Sequence, residues 1–415
     1  MKKLIILTLT LFISFLNASE WLSVEDCIEL AFKNNLNILK NSFYQRQSEI
    51  QVNQSWSALY PSLSANASTS NSGPLVSEPA NSMNWSINGS LNQSIYRPGM
   101  YTGIKLAGER LVASEFSNKT LENEIRASVE KLYFKILASD TLIGVYQANI
   151  LLSDEQIAKM EQLVELGIRR KSDLLKANVQ RGTFQSQLVR ERESLASAKR
   201  ALNILMGREP DIEFNLQHMA VDQISVPDFQ AAVDRMIENN PEIKRLKSLI
   251  AQQEISLTIS KEAYLPSIYG SYSYSRSNAP AGMGNYIEND RVSLNLSIDI
   301  FDGFKKSQNI EINQLNLSEA QVNYDARMRE LTESLLNQYN TLETQNNLIE
   351  IHQTNLVSAR EDLAVVSEHY ANGLSTVLDL TDAQVAVLES ETNLLRDLYT
   401  RKQIEAEIQK LLGSL

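Results

Sequence analysis

The sequence predicts an α+β membrane protein, internally duplicated. Long coiled-coil helices build an α-helical barrel that continues into a transmembrane β-barrel, to which each chain contributes four strands. Three observations carry this reading. The chain repeats itself at an offset of 205–206 residues. Each copy holds a pair of alternating segments about as long as a membrane strand. Each copy also holds a long proline-free stretch with an unbroken seven-residue apolar period.

The duplication comes first, because a missed repeat distorts every later assignment. "FKNNLNILK" (32–40) resembles "IENNPEIKR" (237–245), pairing Asn35 with Asn240. "ALYPSLSA" (58–65) resembles "AYLPSIYG" (263–270), pairing Pro61 with Pro266. "LGIRRKSDLLKA" (166–177) resembles "NGLSTVLDLTDA" (372–383), pairing Gly167 with Gly373 and Asp173 with Asp379. "ILMG" (204–207) resembles "KLLG" (410–413). The organisation read from this is a first repeat over 19–207, a connector over 208–226 and a second repeat over 227–415.

Residues 1–18 read as a secretory signal peptide. Lys2 and Lys3 precede an apolar run from Leu4 to Leu16, with small residues at Ala18 and Ser19. No later apolar run approaches the ~20 residues of a membrane helix. An exported chain of this kind is then either periplasmic or an outer-membrane β-barrel. Cys27 is the single cysteine, so no intrachain disulfide can form, and it reads as a buried helix residue.

Within each repeat the order reads helix, strand, strand, helix, helix. The first helix is expected over 23–57, and its copy over 227–263, each closed by a proline, Pro61 and Pro266. In "NWSINGSLNQSIY" (84–96) Trp85, Ile87, Leu91 and Ile95 alternate with Ser and Asn. In "RVSLNLSIDIF" (291–301) Val292, Leu294, Leu296, Ile298 and Ile300 do the same. Partners are "SLSANASTS" (62–70) and "SIYGSYSYS" (267–275). Strict alternation gives one apolar and one polar face, and about ten residues is the length a membrane strand needs.

Residues 99–209 and 281–415 contain no proline. Val129, Ile136, Ile143, Ile150, Ile157 and Val164 hold one heptad position; Leu335, Leu342, Ile349, Leu356, Leu363 and Tyr370 hold it in the second copy. That period predicts left-handed coiled-coil packing, because a plain period of 3.6 drifts ~20° per heptad. The companion position is mixed (Leu331, Gln338, Gln345, His352, Ala359), so water is expected on that side. The long helix is ~95 Å, and two half-length helices stacked end to end match it.

Four strands leave open edges that lipid does not tolerate. Three chains give twelve strands and a lumen. Tyr60, Tyr96, Tyr264 and Phe301 sit where strands meet helices, as an interfacial aromatic girdle does.

Taken together these residues resemble the outer-membrane factor family of TolC-like efflux and secretion channels, over essentially the whole mature chain. The likeness lies in the duplicated helix–hairpin–helix unit, "YPSL" and "LPSI" before the strands, "FDG" (301–303), and the G-x5-D-x3-A pattern after each long helix. The resemblance implies a homotrimeric channel-tunnel spanning the outer membrane and extending into the periplasm. It would be surrounded by outer-membrane lipid and act with a periplasmic adaptor and an inner-membrane transporter of RND, ABC or MFS type, as an efflux pump or in type I secretion. It also implies a periplasmic gate at Asp379, Asp382, Asp173 and Tyr370, and adaptor-docking tips at Gly167, Ile168, Gly373 and Leu374. The family's latch arginine falls on Ser375; Arg169, Arg170 and Lys171 are the candidate substitutes. On its own, Asp379 also reads as the third residue of a helix capped by Thr376.

Other classes fit less well. A net charge of −11 excludes a general nucleic-acid binder. His218, His352 and His369 lack metal-ligand spacing, and there is no CxxC, P-loop or G-x-S-x-G. No enzyme, cofactor or metal site is expected. A periplasmic coiled-coil scaffold or adaptor without channel activity is the competing reading, and the duplicated alternating strand pairs count against it.

Overall fold

The computed structural model describes residues 20–72, 82–218, 226–278 and 285–413. The signal-peptide reading of residues 1–18 lies outside them, as do most of the two loops joining the strand pairs. Each repeat supplies two short helices, α1 (Val24–Asn34) and α2 (Leu36–Trp56), then α5 (Phe229–Asn239) and α6 (Pro241–Glu262). Strand pairs follow: β2 (Ser62–Ser72) with β3 (Ser82–Tyr96), and β5 (Ser267–Asn278) with β6 (Tyr286–Ser297). Long helices α3 (Met100–Glu165) and α7 (Lys305–Ala371) run out, and α4 (Lys171–Leu205) and α8 (Val377–Leu412) return. At 66 residues α3 spans ~100 Å.

The single helices expected over 23–57 and 227–263 are each broken, at Asn35 and Asn240. The cause is one side chain doing two jobs. Asn35 adopts an extended backbone (ψ 125°), and its Oδ1 accepts from the amides of Asn37 (2.8 Å) and Ile38 (3.4 Å), capping α2. Its Nδ2 donates to the carbonyl of Leu205, the last residue of α4, at 2.8 Å. Asn240 repeats this, accepting from Glu242 and Ile243 and donating to Leu411 at 2.8 Å. The expected end-to-end stacking of half-length helices is thereby made: α2 starts where α4 ends, and α6 where α8 ends.

Glycine closes each joint. Gly207 and Gly413 have φ +67°, and a Cβ there would lie 2.3 Å from the Asn34 carbonyl oxygen and 2.8 Å from the Asn239 carbonyl. A side chain is excluded there twice over, by the close contact and by the left-handed backbone.

The main core surrounds these joints. Val129, Tyr133, Ile136, Leu202 and Met206 are buried with Cys27, Ile28 and Ala31 of α1. The connector is more than a tether. Its residues β4 (Phe214–Leu216) pair in parallel with β1 (Glu20–Leu22) and bury Phe214. Tyr133 donates to the Gln217 carbonyl at 2.7 Å, and burial pushes its hydroxyl up to about 12. The repeat-related Tyr339 donates to the Pro227 carbonyl at 2.7 Å.

The heptad residues Val129, Ile136, Ile157, Leu335, Ile349 and Leu356 are buried. The companion position departs from expectation: Leu331 and Gln345 are also buried, and His352 Nδ1 lies 2.6 Å from Asp397 Oδ2 of α8. His352 thus meets α8 rather than water, and Gln345 is buried, whereas Gln338 stays half-exposed. Helix α3 carries one 18-residue window of mean hydropathy 1.2, apolar enough by composition to cross a membrane, which reading for apolar runs overlooked. The helix packs against α1, α2, α4, α6 and α8, which bury a third of that window.

The four long strands form one antiparallel sheet in the order β2-β3-β5-β6. β6 begins five residues before the expected start and ends at Ser297. Ile298, Ile300 and Phe301 therefore belong to the turn into α7, not to the strand. That turn is sharp, with Gly303 at φ +69° and Phe304 at φ +68°. Asp302 then accepts from the Lys306 amide at 2.9 Å, covering the new helix end.

Asn35→Ala removes a helix cap worth about 1 kcal/mol and orphans the Leu205 carbonyl, for about 1–2 kcal/mol more. Denaturant unfolding followed by circular dichroism should show that loss, and an unchanged midpoint would refute the joint. Tyr133 has a folded pKa above its ordinary 10, so its contribution is complete below pH 10 and fades as pH rises toward 12. Tyr133→Phe should flatten the stability curve across that window.

Candidate functional site

The far ends of the two long hairpins lie together. Helix α3 closes with Gly167 donating to Val164 and Ile168 to Leu163; α7 closes with Gly373 donating to Tyr370 and Leu374 to His369. Both are Schellman closures, which need a left-handed residue. Gly167 and Gly373 supply it at φ +73° and +75°. Nothing crowds either position, so backbone conformation alone selects glycine. The turns then expose Leu166, Ile168 and Leu374, the last at 77%.

The return helices start differently. Thr376 caps α8: its Oγ1 accepts from the Asp379 amide at 3.2 Å. Asp379 Oδ2 in turn accepts from the Thr376 amide and hydroxyl, both at 2.7 Å. This capping box holds the Asp379 carboxyl below the usual carboxylate range. Helix α4 has Arg170 at the cap position, with no side-chain capping bond.

The predicted acids thus separate by role. Asp379 is bound into its own helix start. Asp382 is exposed, and with Thr381 and Leu378 it borders a shallow hollow opposite Lys176 and Val179 of α4. Asp173 is half-buried in the first turn of α4. Among the described residues neither Asp173 nor Asp382 makes a side-chain hydrogen bond or ion pair within the chain. Asp173 and Tyr370 are not joined to each other.

Tyr370 has a different partner. The Arg169 guanidinium sits over its ring, 4.6 Å from the centroid, in cation–π contact. Of the three candidate substitutes for the missing arginine, Arg169 is the one that reaches this ring. It comes from the other repeat. Ser375 instead donates weakly to the Val366 carbonyl at 3.4 Å, bracing the turn.

At the opposite end, Tyr60, Tyr264 and Phe301 are exposed and Tyr96 half-exposed, all beside the sheet–helix junction. Lys306 lies over Tyr264, and Phe304 stacks edge-on against Phe301. The sequence also holds a second aromatic set: Trp85, Tyr274 and Tyr286 share the apolar face toward the far end of the sheet, with Tyr272 at mid-height on the same face. Period-two counting on "YGSYSYS" contained that signal, hidden by serines on both sides.

Because the Asp379 pKa is lowered by Thr376, its contribution to the α8 start is present above the ordinary aspartate value, ~3.9, and lost as pH falls through the lower folded value. Hydrogen exchange should open the first turn of α8 in Thr376→Ala at pH 7, with the difference from the parent vanishing in strong acid. Equal exchange at pH 7 would refute the cap.

Comparison with known proteins places this geometry. The family described as outer membrane efflux protein matches residues 27–208 and again 232–414. The outer membrane protein TolC of Salmonella enteritidis is 22% identical over 380 residues, 88% of this chain and 76% of that protein. The alkaline protease secretion protein AprF of Pseudomonas aeruginosa is 21% identical, over 79% of this chain and 69% of that protein. Crystal structures of the channel-forming CusC superpose with a TM-score of 0.83 at 18% identity, over 94% of this chain and 92% of that one. Two family matches that together cover most of the chain, on a fold shared with solved channels, lead to one conclusion: this is a non-enzymatic, outer-membrane member of the outer membrane efflux protein family.

Proposed function

We propose that three copies assemble into a channel-tunnel, the passive export conduit of a tripartite efflux pump or type I secretion system. The observation that carries this is the pair of unfinished edges. The sheet ends in β2 on one side and β6 on the other, with no partner strand among the described residues. The helical layer ends the same way. α2 and α4 expose Leu36, Phe43, Val179 and Val189, and α7 exposes Ile312, Leu315, Val322 and Ile351. Joining β6 to β2 and α7 to α2/α4 of the next copy satisfies both layers at once. Three copies give twelve strands and a lumen, whereas eight strands would be filled by side chains.

The two aromatic sets support insertion in outer-membrane lipid. From Tyr286 to its end at Ser297, β6 has twelve residues, ~36 Å along the strand and ~28 Å at a ~40° tilt, about the height of a lipid-facing band. Leu63, Leu91, Val292, Leu294 and Leu296 lie between the sets and are exposed. In this reading residues 1–18 are a removed signal peptide, and the repeats 19–207 and 227–415 are joined by 208–226.

The hairpin ends form the periplasmic gate. Threefold symmetry brings Asp173 and Asp382 toward one axis as carboxylates without intrachain partners, while Asp379 stays ionised through its cap. Tyr370, held by Arg169, is the latch. The exposed Ile168 and Leu374 beside Gly167 and Gly373 dock a periplasmic adaptor, which connects the conduit to an inner-membrane transporter.

Single-channel recording tests the gate. Asp379→Ala with Asp382→Ala should raise resting conductance and abolish block by divalent or trivalent cations. Arg169→Ala should raise conductance while keeping that block. Unchanged currents in both would overturn the gate, and a soluble periplasmic monomer on fractionation would overturn the channel itself.

A further inference from the structure

The sheet register sorts every strand residue onto one of two faces. Ser64 pairs with Ser90, Ser90 with Ser273, and Ser273 with Arg291; Asn66 pairs with Asn88, Asn88 with Ser275, and Ser275 with Asn289. Serine hydroxyls meet across this face at 2.8 Å, at Ser64–Ser90, Ser68–Ser86 and Ser271–Ser293. Among the described residues it is mostly Ser and Asn, with Tyr269 and Ile287 toward its two ends and one charged side chain, Arg291.

Charges on the other face do not neutralise it. Glu288 and Asp290 shortly precede Arg291 in the chain but point to the opposite side, as alternation requires. Tyrosines hold them there: Tyr272 donates to Asp290 at 2.8 Å and Tyr274 to Glu288 at 3.1 Å. Arg276, also on that face, lies 3.7 Å from the Tyr286 ring centroid. Arg291 is exposed and makes no hydrogen bond or ion pair with any described residue.

We infer that Arg291 forms an anion-binding ring in an otherwise uncharged barrel lumen, one guanidinium per chain, at mid-height of β6. This rests on the trimeric barrel proposed above, in which the polar face lines the lumen. The ring would attract phosphorylated, sulfated or carboxylated solutes, opposite in sign to the acidic mouth at the helical tips. A guanidinium suits such anions because it donates two parallel hydrogen bonds. Its field also depends on salt. Their potential decays over ~30 Å in 0.01 M salt but over ~8 Å at 0.15 M, so three charges on the wall influence the whole lumen only in dilute salt.

The test uses the intact channel in a planar bilayer, with sulfated β-cyclodextrin added on the barrel side as the polyanion probe. Block should weaken about tenfold or more between 10 mM and 150 mM KCl, following the screening length. Arg291→Ser should weaken it by about as much in 10 mM KCl, and Arg291→Lys should retain most of it. An Arg291→Ser channel that conducts normally and is blocked at the parent's probe concentration overturns the ring alone. So does equal block of the parent by uncharged β-cyclodextrin, which would make the block steric. A protein that opens no conductance overturns the barrel reading, and the ring with it.

Discussion

The architecture depends on one contact made twice, the asparagine that caps one helix while gripping the end of another. A ~100 Å helix needs partners along its full length, yet its repeat supplies two shorter pieces separated in sequence. Their abutting ends would leave unpaired amides on one side and unpaired carbonyls on the other. Asn35 and Asn240 answer both with a single carboxamide, whose oxygen accepts and whose nitrogen donates. No other short side chain offers both polarities in that geometry. Gly207 and Gly413 follow from the same contact, because the returning chain must pass where a Cβ would strike the preceding helix.

With the joints fixed, the two ends of the molecule obey different constraints. At the sheet end every strand must show lipid an apolar face and hide its polar one, so register is absolute and a one-residue slip would invert it. The charged residues respect this: Glu288, Asp290 and Arg276 interrupt the apolar face only toward its aromatic edge, where tyrosine hydroxyls bond the acids. At the helical end nothing so strict applies. The tips are exposed, and their conformation is set locally by a left-handed glycine and a helix cap.

What was legible in the sequence follows the same division. Long-range periodicities survive as patterns, so the duplication, the heptads and the alternating strands could be read directly. The break at Asn35 could not, because "NNLNILK" reads as continuous helix until the Leu205 carbonyl is known to lie beside it. Asn35 was matched to Asn240 as a landmark, but its role emerges only in three dimensions. Nor could β4 be read, since three residues of a connector gain strand identity only by pairing with the N-terminal segment. At the candidate site the acids and tip glycines were visible by position. Which acid is spent on a cap, and which arginine meets Tyr370, required geometry.

That last contact bears on how a duplicated chain acquires a unique site. Two copies of one hairpin start with equivalent tips, and equivalent tips give no reason for one to hold the other. Here the copies have diverged in complementary directions. The second keeps a full capping box at Thr376 and Asp379 and a tyrosine at 370. The first gives up its cap, placing Arg170 there, and offers Arg169 to the partner ring instead. A loss of local helix stability in one copy is matched by a contact between copies. The tips are therefore held as a pair, and a movement that parts them must break an inter-repeat contact whose strength depends on how far that ring and guanidinium are shielded from water.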